Sequence, residues 1–95
     1  MKVSITDSAL GDLREIIKFY EDQLVPQVGR ELVSKIIERI ESLSDHPEIG
    51  RIVPEFENQN IRELVHTPFR VVYTTSESII FVVRVWRSER VLELP

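Results

Sequence analysis

The sequence contains no cysteine, which excludes a disulfide scaffold and any thiolate metal centre. It has two histidines, His46 and His66, far apart in the chain and without a paired carboxylate pattern, so no metal site is expected. The three glycines, Gly11, Gly29 and Gly50, are isolated, and no Gly-rich phosphate loop is present. No apolar run approaches the roughly 7–15 residues of a signal core or the roughly 18 of a membrane span. Met1 leads directly into Lys2 and a short mixed stretch, so a soluble, cytoplasmic chain is expected, with no membrane partner. Ser88 stands between Arg87 and Glu89 with no nucleophile elbow around it, which argues against a serine hydrolase. These gaps together leave no cofactor to expect.

What is present is an ordinary globular composition: 95 residues, 42% hydrophobic and 29% charged. At roughly 100–150 residues per typical domain, residues 1–95 form one domain. Twelve bases against sixteen acids give a net charge of −4, which disfavours a protein that coats nucleic acid. Direct nucleic-acid binding by the chain alone is therefore not expected.

The charge is unevenly distributed. Residues 1–50 carry six bases and ten acids, whereas residues 51–95 carry six of each. All six bases of the second half are arginines: Arg51, Arg62, Arg70, Arg84, Arg87 and Arg90. Arginine offers a planar fork for carboxylate or phosphate, where lysine offers a mobile point charge. One reading is a solvated sheet face; the sharper one is that several of these arginines converge on a binding surface.

Hydrophobic periodicity divides the chain once. Residues 2–5 read as a short strand, and Thr6 and Asp7 offer helix-capping oxygens. Leu10, Leu13, Ile17, Tyr20 and Leu24 recur at spacings of three and four, predicting a helix over 7–23. Asp12 and Glu15 suit the positive end of that helix. Pro26 fits the first turn of a second helix over 27–44, whose stripe is Val28, Leu32, Val33, Ile36, Ile37, Ile40 and Leu43. The join is short, so the two helices form an antiparallel hairpin. Gly50 is read as turn freedom after His46-Pro47. From Arg51 the period is two. Arg51–Phe56 is a weak strand, Ile61–His66 and Phe69–Thr74 are clearer ones, Ile79–Trp86 is apolar on both faces and hence central, and Val91–Leu94 is a short last edge. The expected fold class is α+β: an N-terminal strand, then a two-helix hairpin packed on a C-terminal antiparallel sheet. Leu13, Ile17, Ile36 and Ile40 are expected to meet Val71 or Val72 and Val82 or Val83 in the core.

Arg84 is the most informative single residue. It interrupts an otherwise apolar strand, where a lone charge is expensive, so a partner such as Glu63 or another carboxylate, or an open cleft, is required. Trp86 lies between Arg84 and Arg87 and reads as packed, with an interface role open to it. Tyr73 reads as core, and His46 and His66 as structural.

The segments ALGDLREIIKFYEDQ, IERIESLSDHPEIGRIVPEF, IRELVHTPFRVVYTT and IIFVVRVWRSERVL, in this order over nearly the whole chain, resemble the RelE/ParE toxin superfamily. Its more specific pieces are His46-Pro47-Glu48-Ile49-Gly50-Arg51, then Arg62-Glu63-Leu64 with Phe69–Tyr73 after it, then Val83-Arg84-Val85-Trp86. The resemblance implies the α+β fold just described and a toxin of a type II toxin–antitoxin module, neutralised by a cognate antitoxin. RelE-like members cut mRNA on the ribosome; ParE-like members inhibit DNA gyrase and have no known catalytic centre. Metal-free RNA cleavage needs a proton acceptor, a proton donor and cations for the phosphate. Arg62, Arg70, Arg84 and Arg87 would serve as the cations, yet the sequence beyond Trp86 contains no Tyr, His or Lys. The ParE-like reading is preferred, with no catalytic residue and a target-binding surface of Arg62, Arg70, Arg84, Trp86, Arg87 and Arg90. The alternatives are a ribosome-dependent endoribonuclease and a non-toxic module stabilised by its partner.

Overall fold

A computed structural model describes residues 1–88. The first strand, β1 (Lys2–Ile5), leads into α1 (Asp7–Asp22) through Thr6, whose hydroxyl accepts from the amide of Ala9 at 3.2 Å. That bond satisfies one of the helix's otherwise unpaired first-turn donors. The second helix, α2 (Pro26–Ser42), begins with the proline as expected.

The turn between the helices departs from the expected stripe. Leu24 adopts φ 64°, the left-handed geometry that ends a helix, and its side chain is 87% exposed. Helical spacing placed it inward; leaving the helix turned it out. The hairpin closes tightly at Gly29. A Cβ there would lie 2.9 Å from Cβ of Tyr20, so the glycine permits the approach of α2 to α1. The same crowding occurs at Gly50, whose amide donates to the Tyr73 hydroxyl at 2.9 Å, while that hydroxyl donates to Pro47 O at 3.0 Å. A Cβ at Gly50 would collide with the Tyr73 ring, and its φ is not left-handed. Gly50 therefore supplies space, not turn freedom.

Four further strands complete one sheet: β2 (Arg51–Ile52), β3 (Ile61–His66), β4 (Phe69–Ser76) and β5 (Ile79–Arg87), in the order β1-β5-β4-β3-β2. β2 to β5 are antiparallel, but β1 runs parallel to β5, with Ile5 opposite Val82. The C-terminal strands are antiparallel as expected, and the N-terminal strand, whose direction the sequence left open, adds a parallel edge, so the sheet as a whole is mixed. The cause is the helical hairpin, which returns the chain to the same end of the sheet before β2. The middle strand is β4; β5 is interior, between β1 and β4. The weak strand expected over Arg51–Phe56 shrinks to two residues ahead of Pro54, which has no amide to donate. The expected strand Val91–Leu94 lies outside the described residues.

Both helices cover one face of the sheet. Leu13, Ile16, Val33, Ile36, Ile40 and Leu43 pack on Leu64, Phe69, Val71, Tyr73, Ile80, Val82 and Val85. Ile17 lies at the edge of this core, only half-buried, and Ile16 takes the inner position. Of the paired alternatives at the sheet, Val71 and Val82 face the helices. Val72 and Val83 face the other side, in a smaller cluster with Val53, Phe56, Ile61 and Trp86. Period-two alternation separates neighbours in this way.

Ile36→Ala, at a fully buried position, is expected to lower stability by about 2–5 kcal/mol in chemical denaturation. His66 has its pKa lowered from the ordinary 6.5, first by burial and then by the positive charges of Arg39 and Lys35. Below 6.5 the unfolded chain protonates this imidazole before the folded one does, so stability falls as pH drops from 6.5 toward the lowered value. His66→Gln is expected to flatten that part of a stability–pH curve, and an unchanged slope would assign the dependence elsewhere.

Candidate functional site

The arginines singled out by the sequence start from both faces of the sheet. The register sets Arg70 opposite Trp86 and Val72 opposite Arg84, all on the face away from the helices. Arg62 shares the other face with Leu64, and Arg87 stands opposite Phe69, with its guanidinium 5.7 Å from the phenyl centroid. Arg62 donates to Gly50 O at 2.9 Å and so holds the turn after α2. Arg90 lies outside the described residues.

Arg70 is almost completely buried, as is the residue that neutralises it. The Glu63 carboxylate, with no exposed side-chain surface, accepts from Arg70 Nε at 2.6 Å through Oε2 and from Arg51 Nε at 2.8 Å through Oε1. Arg70 also pairs with Glu55, at 3.1 and 3.2 Å. The guanidinium is thereby pushed above its already high pKa, first by Glu55 and further by Glu63, against the opposing effect of burial. The result is an alternating chain, Arg51–Glu63–Arg70–Glu55, that ties β2, β3, β4 and the loop after β2 together.

Arg84 is neutralised from a different direction. Asp12, on α1, accepts from Arg84 Nε at 2.9 Å and Nη2 at 2.8 Å. Its Oδ2 also accepts from the amide of Val85 at 2.8 Å. The bond to Asp12 raises the Arg84 pKa, offset by burial and aided by the nearby charge of Glu15. The guanidinium lies 4.5 Å from the centre of the Trp86 ring, within cation–π range. The partner required for Arg84 therefore exists, but it is Asp12; Glu63 serves Arg70 and Arg51. Asp12 does more than complement the helix dipole. Its position was legible, because it falls three residues after Ala9 and four before Ile16 on the buried stripe of α1. A carboxylate on an inward stripe calls for a buried cation.

Between α1 and the end of β5 runs a groove of about 530 Å³, lined on one side by Asp12, Glu15, Ile16 and Phe19 and on the other by Phe69, Val85, Trp86 and Arg87. It opens where β1 stops, since β1 pairs with β5 only as far as Val82. Among the described residues no helix is long and apolar enough to cross a membrane, and no three His, Cys, Asp or Glu side chains gather as a metal site.

The family model for the ParE toxin of the type II toxin–antitoxin system, parDE, matches residues 3–92. The chain belongs to the ParE toxin family. The fold agrees: a solved chain described as the chromosomal ParDE TA system from P. aeruginosa superposes with a TM-score of 0.79 at 25% identity, covering 94% of this chain and 97% of that one. No curated protein matches the sequence. The family is that of toxins of type II toxin–antitoxin modules, so an antitoxin is the kind of partner that membership implies.

Removing the buried carboxylate of this ParE-family sheet is expected to be costly. Glu63→Ala takes from Arg70 its fully buried counter-charge, and a loss of about 3–5 kcal/mol is expected in urea denaturation. Arg51→Ala removes a partner whose side chain is 62% exposed, and a loss below about 1 kcal/mol is expected. Equal losses from the two variants would contradict the central place of Glu63.

Proposed function

We propose that the chain is the toxin of its module, that it acts by binding and inhibiting DNA gyrase, and that a cognate antitoxin neutralises it. The observation that carries the reading is how the sheet's cations are used. A nuclease acting without metal needs guanidinium or ammonium groups directed at a phosphate. Here Arg70 is bonded to Glu63 and Glu55, Arg84 to Asp12, and Arg62 to the carbonyl of Gly50. Each is engaged by the protein itself, which supports action by surface contact over RNA cleavage. The absence of Tyr, His and Lys after Trp86 supports the same choice.

The surface proposed to meet the target is the end of β5 together with the C-terminal tail: Arg84, Trp86, Arg87 and Arg90, flanked by Arg62 and Arg70. Arginine and tryptophan combine large contact area with directional donors, so they often carry interface energy. Within this set Arg87 is exposed, Arg84 is half-buried, and Arg70 and Trp86 are buried. The antitoxin is proposed to lay an amphipathic segment along the helical hairpin and the groove beside β5. The hairpin leaves Phe19, Leu24 and Val28 exposed, apolar surface that such a segment would cover.

The test is induction of the toxin without its antitoxin, with DNA supercoiling and ribosome-dependent mRNA integrity assayed in parallel. Loss of supercoiling with intact mRNA is expected. Codon-phased mRNA cuts with normal supercoiling would favour the endoribonuclease, and unimpaired growth would favour a non-toxic partner-bound module. Arg87→Ala is expected to weaken gyrase inhibition roughly tenfold while leaving the melting temperature nearly unchanged.

A further inference from the structure

The Asp12 carboxylate is spent on groups that adjoin the proposed target surface. Past Val82 none of the described strands lies on the outer side of β5, and the register shifts at the same place: Tyr73 pairs with Val82 and Val72 with Arg84, leaving Val83 without a counterpart on β4. Bulges of this kind re-aim side chains. Helix α1 takes over from β1 here. The Thr6 hydroxyl donates to Val83 O at 3.2 Å, and Asp12 receives the Arg84 fork and the Val85 amide. The far side of the Arg84 guanidinium faces the Trp86 ring.

A buried ion pair is a weak source of stability, because desolvation offsets most of its attraction. What a two-point carboxylate–guanidinium contact does supply is a fixed plane. We infer that Asp12 is a positioning residue for the target surface: it orients Arg84, and Arg84 in turn fixes the indole of Trp86 at the end of β5. The inference rests on the reading that this end of β5 meets the target. Asp12 itself touches no target atom. It acts at two removes, by setting one guanidinium plane that the ring packs against.

The chain contains a single tryptophan, so its intrinsic fluorescence reports on Trp86 alone. The test uses the full chain and compares wild type with Asp12→Asn and Arg84→Lys. Asp12→Asn keeps the side-chain shape and removes the charge; Arg84→Lys keeps the charge and removes the fork. Three readouts are taken: Trp86 emission with acrylamide quenching, the melting temperature, and growth arrest on induction without antitoxin. Both variants are expected to move Trp86 emission to longer wavelength, increase quenching, and weaken toxicity roughly tenfold while remaining folded. Asp12→Glu, which restores a carboxylate, is expected to recover part of both signals.

Unchanged emission and quenching in folded Asp12→Asn would overturn the inference, as would altered fluorescence with full toxicity. If Asp12→Asn does not fold, Arg84→Lys decides by the same criteria. Should the wild type prove non-toxic, the surface reading fails, yet fluorescence still reports separately whether Asp12 positions Trp86. Failure of the positioning claim and failure of the target-surface claim therefore leave different signatures.

Discussion

A guanidinium on an interior strand requires a carboxylate within bonding distance, and that requirement organises this sheet. Two arginines occupy the face away from the helices on β4 and β5. Arg70 is met by Glu63 from β3 and Glu55 from the loop, and Arg84 is met by Asp12 from α1. Each pairing joins separate elements of the chain. The loop after β2 is tied down through Glu55, the β3–β4 register through Glu63, and the approach of α1 to β5 through Asp12. The hydrophobic core supplies most of the driving force for folding. The ion pairs narrow which of several similar packings is adopted, because a displaced carboxylate would leave a buried charge uncompensated.

Most of the fold was legible from periodicity. The stripes of α1 and α2 place Leu13, Ile36 and Ile40 correctly inward, and the alternation in Ile61–His66 and Phe69–Thr74 identifies β3 and β4. The errors have physical causes. Leu24 obeys helical spacing but sits where the backbone turns left-handed, so its side chain faces water. The parallel pairing of β1 has no local signal, because it depends on how far the hairpin carries the chain back. Gly50 could be marked as special from sequence, but its reason, the ring of Tyr73, lies twenty-three residues away. At the candidate site, the arginines were evident and their partners were not. Periodicity gives the face a side chain occupies; it does not say which acid arrives there from another element.

Membership of the ParE toxin family gives the scaffold and the kind of module. A fold serves many functions, and the site decides among them. Of the sheet's arginines, Arg70 and Arg84 are bonded to internal acids and Arg62 to a backbone carbonyl. The net charge of −4, spread with its excess on the helical half, acts in the same direction at longer range.

The ends of the two outer strands show how the chain deals with backbone groups that no described strand covers. Past the end of β1, the amide of Val85 on β5 is occupied by the Asp12 carboxylate; past the end of β2, the carbonyl of Val65 on β3 accepts from the Arg39 guanidinium at 2.6 Å. One helix contributes an acid to a donor and the other a base to an acceptor. Uncovered strand edges are templates on which further chains can pair, and a charged group placed on them hinders that pairing. Each of these two backbone groups is occupied by a side chain of the covering hairpin, so the hairpin that buries the core also places charge where β1 and β2 stop. Strand addition at these two places would first have to displace a bound side chain, Asp12 from Val85 or Arg39 from Val65.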